Sequence, residues 1–503
     1  MPFTRTSDGK LIPIKRTGEE VLGLFEKEKI KFVDLHFTDV PGRLQHTTVP
    51  VHVIDKDAFK EGVPKLDGSS IKGFTGIEES DMMLKPDPST FAVIPWSTKE
   101  SESHKAARLI CDVFWGFGQG RLARDPRAIA QRAEQYVKES GFDESYWGPE
   151  IEFFVFDKVT WDVLTPYKGQ SYSIESTEGA WATMGTDSKD PKGSKSSNFP
   201  IRFKEGYFPA PPSDTLMEYR SEVVAIFQER FGIVSDAHHH EVATAGQCEI
   251  DMRYDTLTNM ADNVMTFKYI TRNVAHQRGM VATTMPKPIF MDNASGMHTH
   301  QSLWKAGKPT FYDASDSYAE LSQVGRYYGG GLMEHSRALT CITNPTTNSY
   351  RRLVPGYEAP VYIAWSRRNR SANVRVPVYE KGPGSQARKR LEFRTPDPSC
   401  NPYIAFAAMV CAGLDGVKKK TDIGSPVDEN IYHLSADRRR QLGIKELPGS
   451  LKEAADSLAS DHEFLKPVLP KDLIDMIIEN ARKEHSEISM RPHPYEFHLY
   501  FDA

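Results

Sequence analysis

The chain has 503 residues, 39% hydrophobic and 26% charged, enough for a large core and more than one domain. Its formal net charge of −5 offers no global field for nucleic acid or an anionic membrane, and no nucleic-acid reading motif is present. Cys111, Cys248, Cys341, Cys400 and Cys411 are scattered without a CxxC pair, which argues against a disulfide framework or thiolate zinc site and for a reducing compartment.

The start, "MPFTRTSDGK", is polar and lacks the apolar core of a signal peptide, so a cytoplasmic location is expected. Strand-like pieces follow in "KFVDLHFTDV", "LQHTTVPV", "FAVIPW" and "ARLICDVF", predicting a small sheet-forming domain that ends near Phe114. The Gly-rich "WGFGQGRLARDP" leads into a helix with Asp125 as N-cap, Pro126 at its first position and Gly141 past its end. Ile129, Ala133, Tyr136 and Val137 would share one face of it. The domain boundary is placed here, giving an N-terminal domain 1–120 and a catalytic domain 121–503.

The larger part alternates short strands with helices. Amphipathic helices are predicted over Asp214–Phe231, closed by Gly232, and over Asn259–Arg278, closed by Gly279. Between Thr160 and Phe208 the polar sequence, including "TDSKDPKGSKSSN", lacks periodicity and predicts a long, mobile surface loop. "YIAFAAMVCAGL" (403–414) is too short to span a bilayer and suits a buried helix. The region from 425 to 490 reads as charged and helical.

Residue pairs two apart carry the chemistry. In "WGPEIEFFVF", Glu150 and Glu152 would share one face of a buried strand, which is costly unless a positive charge lies between them. "GMHTHQS" pairs His298 with His300, "CEID" pairs Glu249 with Asp251, and "LEFR" pairs Glu392 with Arg394; Glu241 lies upstream in "HHHEVATAGQCEI". His238 to His240 read as a helix-end or interface cluster rather than a ligand set. Carboxylates with one imidazole and no thiolate suit Mg²⁺ or Mn²⁺, and so many acids would neutralise more than one ion. Downstream, apolar residues interleave with Arg370, Arg375, Arg390 and Arg394, which argues against a fully solvated face; plain solubility or an acidic partner is the alternative. Acidic metal ligands followed by arginines suggest phosphoryl transfer at a two-metal site, without a P-loop or Rossmann motif.

From "DLHFTDVPGRLQH" and "DGSSIKGF", through "HHHEVATAGQ", "SGMHTHQSL", "NPTTNSYRRLVPGYEAP" and "RNRSA", to the "RPHPYEF" tail, the sequence closely resembles type I glutamine synthetase. The resemblance implies an α+β fold: a small N-terminal β-grasp-like domain and a large C-terminal α/β catalytic domain with an active-site funnel of antiparallel strands. It implies ligation of ammonia to L-glutamate through γ-glutamyl phosphate, with two or more Mg²⁺ or Mn²⁺ ions per site and ATP as co-substrate. Glu152, Glu241 and Glu249 match the ligands of one ion; Glu150, His298 and Glu392 match those of the other. Arg352, Glu358, Arg370 and Arg394 fall where the family binds glutamate or its reacting γ-carboxylate, and Asn293 with Ala294 where it holds the amino-acid head group. Arg370 and Arg375 match the groups that stabilise the transferring phosphate. His300 and Ser302 match nucleotide contacts, with Asp236, Arg375 and Arg390 assigned beside them. Asp67, accompanied by Ser70, matches the residue that takes a proton from ammonium, and Glu358 belongs to a flap that closes over the intermediate. The N-terminal domain would complete the neighbouring subunit's site within a dodecamer of two stacked hexameric rings.

Some positions depart from the family pattern. Ala294 stands where glycine is usual, and Asp236 where many members have glutamate. "YEKGPGSQARKR" is longer than its counterpart and leaves the usual adenine-side lysine without a clear equivalent, with Arg388 and Lys389 as the candidates to replace it. The Thr160–Phe208 stretch resembles the insertion of the longer, adenylylation-regulated subgroup. "ENIYHLS" puts Tyr432 at the modified position, although the following residues differ and a surface tyrosine in a helical connection is the alternative. An adenylyltransferase and nitrogen-regulation proteins are the partners so implied. The rival readings are a ligase of the same fold acting on another amine and a non-catalytic structural ring; the presence of all six metal-ligand candidates counts against the ring.

Overall fold

The structure is a computed structural model that describes residues 3–5, 11–98, 102–116, 118–182, 199–357, 359–378 and 381–503. Near the N-terminus, helix Gly18–Lys27 starts with a reciprocal cap: Thr17 Oγ1 accepts the Glu20 amide, and the Glu20 carboxylate accepts the Thr17 amide at 2.7 Å. Its buried Val21 and Phe25 join the core of a five-stranded sheet, Phe25 meeting Phe91 at 6.0 Å between ring centroids. The strand order is Leu44–Pro50, Phe32–Thr38, Ala106–Trp115, Asp81–Val93, Val63–Asp67. Only the first half of "FAVIPW" continues a strand; Pro95–Thr98 turns as a 3-10 helix.

Helix Pro126–Glu139 begins on Asp125 as expected, and Ile129, Ala133 and Val137 are buried while Tyr136 is partly so. Its first turn also buries Arg127. That guanidinium reaches Asp112 (2.8 Å) and Asp87 (2.6 Å) on the five-stranded sheet and Asp262 (2.9 Å) on helix Leu257–Gln277. One planar fork thus ties the N-terminal sheet to the helical layer behind the larger one.

Among the described residues the larger sheet has eleven strands. Along its main path run Ser235–His240, Gln247–Met252, Glu144–Phe156, Met297–Lys305, Leu391–Phe393, Ala372–Arg375, Tyr362–Ser366 and Lys445–Glu446. All neighbours on this path are antiparallel except Tyr362–Ser366 with Ala372–Arg375. The apolar run at 403–414 lies in helix Pro402–Lys419, buried nearly all round; its Phe406 stacks on Trp147 of the central strand at 5.0 Å. Helix Gln323–Glu334 crosses it so closely that a Cβ on Gly331 would overlap the Ala412 carbonyl.

Two expectations change. The helix predicted over Asp214–Phe231 runs only from Met217 to Ile226 and then widens into a π turn, Phe227–Phe231. Asp214 stays outside because its carboxylate pairs with buried Arg220 at 2.5 Å and accepts the Leu216 amide at 3.2 Å, fixing a turn there. The loop predicted over Thr160–Phe208 contains part of an antiparallel hairpin, Lys158–Asp162 with Ser171–Glu175. Both strands are largely solvated, with Trp161 and Tyr172 exposed, so no apolar alternation announces them. The "TDSKDPKGSKSSN" segment, and its expected mobility, lies outside the described residues. All five cysteines are free and buried. Among the described residues no helix is long and apolar enough to cross a membrane.

His335 joins helices Gln323–Glu334 and Ser336–Thr343. Its Nδ1 lies 2.8 Å from Asp461 and its Nε2 2.9 Å from Asp415, which also holds Lys419 at 2.8 Å. Phe464 stacks on the ring at 4.0 Å. With a carboxylate on each nitrogen, both must donate, so the ring is an imidazolium. Burial opposes that charge, but the two acids win and raise its pKa. A raised pKa contributes stability that is complete below the ordinary histidine value of about 6.5 and fades as pH climbs through the elevated one. His335→Gln should therefore cost more unfolding free energy at about pH 6 than at about pH 9, as read by denaturant unfolding. An equal cost at both would show that the charge contributes nothing.

Candidate active site

The large sheet opens into a cleft of about 510 Å³. Its acidic floor follows from strand register. Glu249 lies directly opposite Glu152 and Asp251 opposite Glu150; on the other side, His298 pairs with Glu150. His239 pairs with Glu249, and Glu392 stands opposite both His300 and Arg375. The turn before Gln247–Met252 needs Gly246, whose φ is +65° and whose Cβ would overlap the Val155 carbonyl. It presents Gln247, which donates to Glu152 at 3.2 Å.

Like charges in register raise the affinity for protons. Burial, then Glu241, pushes the Glu152 carboxyl up; burial, then Glu152, does the same to Glu249. Glu150 goes the other way: burial is outweighed by His300, which donates to it at 2.8 Å, and by His298. Glu392 is fully buried, yet Arg394 at 2.5 Å and the closely bonded Arg375 hold its carboxyl down at about 2. Burial and Arg394 bring His298 down to about 4, leaving a neutral imidazole with a lone pair at neutral pH.

The donor atoms converge in two groups, Glu150 with His300 and Glu392, and His239 with Glu249 and Asp251. Oxygen and imidazole donors fit hard divalent ions. The orphaned Oδ1 of Asp251, buried without a hydrogen-bond partner among the described residues, also suits coordination of a cation. Glu150, Glu152, Glu241, Glu249 and His298 all line the cleft, and Glu392 lies behind them. The convergent groups differ from the sets expected by resemblance: His300 takes the place beside Glu150, with His298 Nδ1 at 3.4 Å from Glu150 and 3.9 Å from Glu392. His239 is a cleft residue that the sequence reading sets aside with its neighbours His238 and His240. It lies on a strand rather than a helix end, stacked edge-on against Phe208 at 4.6 Å and lining the cleft. The signal that could find it is its two-apart spacing from Glu241, the same spacing that marks the other pairs.

The arginines form the opposite wall. Arg352 is buried, donating to the carbonyls of Thr395 (2.7 Å) and Arg394 (3.1 Å). Arg375 and Arg394 are buried as expected, whereas Arg370 is exposed at the rim, where its long side chain reaches the cleft from solvent. Arg390 donates to His300 Nδ1 at 3.1 Å. Ser302 accepts from Trp304 at 3.1 Å, and exposed Asp236 lies 3.3 Å from Arg253; neither lines the cleft. Lys389 is buried against the Ala319 carbonyl (2.7 Å) and Glu320 (3.6 Å), while Arg388 is exposed. Asn293 and Ala294 line the cleft, as do Tyr357 and Ala359; Glu358 between them lies outside the described residues. Asp67 is exposed and does not line the cleft of its own chain; Ser70 Oγ donates to it at 2.9 Å. Tyr432 sits in the turn Ile431–His433, half-buried, its hydroxyl donating to the Ala359 carbonyl at 2.5 Å.

A family model described as "glutamine synthetase, catalytic domain" matches residues 123–500, and one described as "glutamine synthetase, beta-Grasp domain" matches residues 29–116. The chain is 52% identical over 491 residues to a glutamine synthetase of Sulfolobus acidocaldarius, covering 97% of this chain and 99% of that one. It is 45% identical over 491 residues to the glutamine synthetase of Escherichia coli K12, covering 97% and 100%. A cryo-EM structure of Plasmodium falciparum glutamine synthetase superposes with a TM-score of 0.85 at 27% identity, covering 97% and 99%. The fold is the expected α+β one, a β-grasp sheet followed by a large catalytic domain.

Removing divalent metal should lower the melting temperature, and restoring Mg²⁺ or Mn²⁺ at a hundredfold excess over its dissociation constant should return about 2.7 kcal/mol. Glu249→Gln should raise the melting temperature of the metal-free protein and lose most of that rise. A variant that still gains the full rise would show that Glu249 holds no ion.

Proposed function

The chain belongs to the glutamine synthetase family, and from that premise we propose how its cleft works. The enzyme ligates ammonia to L-glutamate at the expense of ATP, giving L-glutamine, ADP and phosphate. The observation that carries the site assignment is the register that sets four carboxylates opposite one another beside a wall of arginines.

Mg²⁺ or Mn²⁺, held by Glu152, Glu241 and Glu249 and by Glu150, His298 and Glu392, would supply charge neutralisation for the ATP phosphates. Asn293 and Ala294 hold the amino-acid head group, and Arg352, pre-oriented by two backbone carbonyls, holds glutamate with Arg394. The γ-carboxylate oxygen attacks the γ-phosphorus, the bond to ADP breaks, and γ-glutamyl phosphate forms. Arg370 and Arg375 face the phosphoryl oxygens, where bidentate guanidiniums are strongest. His300, Ser302, Asp236, Arg375 and Arg390 attend the nucleotide. Asp67 from a neighbouring chain takes a proton from ammonium, with Ser70 beside it. Its hydrogen bonds from Ser69 and Ser70 depress its pKa, so it meets the cation as an anion. Ammonia attacks the acyl carbon and phosphate leaves, while Glu358 and its segment exclude water.

This reading divides the chain at about residue 120 and assembles it as a homo-oligomer, a dodecamer of two hexameric rings, in the cytoplasm. The exposure of Asp67, away from its own cleft, supports completion of one chain's site by another. It also places the chain in the adenylylation-regulated subgroup, with an adenylyltransferase and nitrogen-regulation proteins as partners. Tyr432, whose hydroxyl holds Ala359 next to the cleft, is the modified residue. Intact mass after incubation with a competent adenylyltransferase should show one AMP adduct, lost in Tyr432→Phe; an unmodified mass would remove this assignment.

The reaction itself is tested by phosphate release from ATP with glutamate, with and without ammonium. Release should depend on ammonium and match glutamine formed, and Asp67→Ala should fall about a hundredfold or more. An assembled enzyme that makes no glutamine but accepts another amine would overturn ammonia as the substrate.

A further inference from the structure

Lys287 stands where three cleft-lining segments meet. Its amide donates to Asn348 Oδ1 at 2.7 Å, and Asn348 Nδ2 donates back to its carbonyl at 3.0 Å. Asn348 immediately precedes the short helix Ser349–Arg352, which carries Arg352. The Lys287 ammonium donates to the carbonyl of Asp292, the residue before Asn293. The fully buried Asp292 carboxylate accepts the amides of Thr244 (2.6 Å), Asn293 (2.9 Å) and Lys204 (3.1 Å). The same Lys287 ammonium lies 4.2 Å from the centroid of the Tyr357 ring, and the Lys204 ammonium also approaches that ring at 4.2 Å. Lys204 further donates to the Gly356 carbonyl at 3.3 Å.

We propose that Lys287 is a positioning residue that fastens the 354–357 segment to the amino-acid pocket formed by Asn293, Ala294 and Arg352. The proposal rests on the glutamate-binding reading of those residues given above. Two ammoniums against one ring repel each other, and among the described residues neither is ion-paired with a carboxylate, so packing alone is a weak reason for a lysine here. What the ammonium gains is the π face of Tyr357 and the Asp292 carbonyl, two contacts that strengthen out of water. Burial pulls its pKa down to about 8, against Asp292 and with Lys204, which leaves most of it charged at neutral pH. A shift of the segment around Asn293 is therefore felt at Tyr357, which lines the same cleft. Lys287 itself is not among the residues that line the cleft, so its effect is on binding and enclosure.

The test uses the full-length, assembled enzyme with Lys287→Met, Lys287→Arg, Tyr357→Leu and Tyr357→Phe. Hydrogen exchange over residues 353–361 is measured beside steady-state kinetics. Lys287→Met and Tyr357→Leu should each raise KM for glutamate about tenfold, with a smaller change in KM for ATP. Phosphate released per glutamine should rise above one as the acyl phosphate meets water, and exchange over 353–361 should quicken. Tyr357→Phe, which keeps the ring, should keep exchange slow, and Lys287→Arg, which keeps the charge, should restore part of the glutamate affinity. Wild-type KM, stoichiometry and exchange in both Lys287→Met and Tyr357→Leu would overturn the proposal. If Lys287→Met fails to assemble, Tyr357→Leu decides, since its half-buried ring lies at the cleft mouth. If the wild-type enzyme makes no glutamine, the reading above falls, while exchange over 353–361 still decides whether Lys287 fastens that segment.

Discussion

The constraint on which the cleft depends is that an antiparallel ladder sets acids directly opposite acids. Glu152 faces Glu249 and Glu150 faces Asp251 across one pair of strands. Directly opposed like charges destabilise a sheet, and burial multiplies the penalty. A chain shaped only by folding would put apolar or opposite-charged pairs at those positions. The strands carrying them are otherwise strongly apolar, with Ile151, Phe153, Phe154 and Phe156 fully buried, so the ladder survives a floor that works against it. Rigid strands then hold the carboxylates at spacings set by the backbone instead of by flexible side chains.

Support for that floor comes from behind. Trp147 leaves the central strand on the face opposite its carboxylates and stacks on Phe406 of the buried helix. That helix approaches its neighbour backbone to backbone at Gly331, which leaves little room for the sheet to shift. Arg127 fastens the N-terminal sheet to the same layer through three carboxylates, and losing one partner of such a buried network typically costs several kcal/mol. The cleft is thus a strained arrangement of charge mounted on a well-packed base, a distribution common to sites that bind ions and phosphates.

Legibility in the sequence follows the physics of each feature. Strand faces repeat every two residues, so Glu150 with Glu152 and His298 with His300 declare their shared sides through spacing alone. The capped helix at Asp125 and Pro126 is equally plain, since each of its signals is local. What stays hidden is non-local. The pairing of Glu249 with Glu152 depends on register between strands about a hundred residues apart. His239 is read as part of a helix-end or interface cluster because a triple histidine has no periodicity of its own, although its spacing from Glu241 obeys the same rule as the others. The late start of the Met217–Ile226 helix depends on an ion pair, Asp214 with Arg220, that overrides helical propensity. The hairpin at 158–175 is largely solvated, with the cross-strand pair Val159 and Ile174 partly covered, so it carries too little alternation to read. Roles such as that assigned to Asp67 rest on resemblance, since "DGSS" by itself spells only a turn.

The strand order has an electrical consequence. Crossing the sheet from Gln247–Met252 to Ala372–Arg375, the cleft meets Glu249 and Asp251, then Glu150 and Glu152, then His298, and finally Arg394 and Arg375 with Glu392 enclosed between them. Four strand spacings separate the two ends, roughly 20 Å. Charge therefore grades from negative through neutral to positive, and the cavity carries a standing field along its length. A bare cation is drawn to one end and a bare anion to the other. A species that is positive at one end and negative at the other finds both ends favourable in one orientation only. Such a cleft selects by dipole as much as by net charge, and it aligns what it binds before any bond is made.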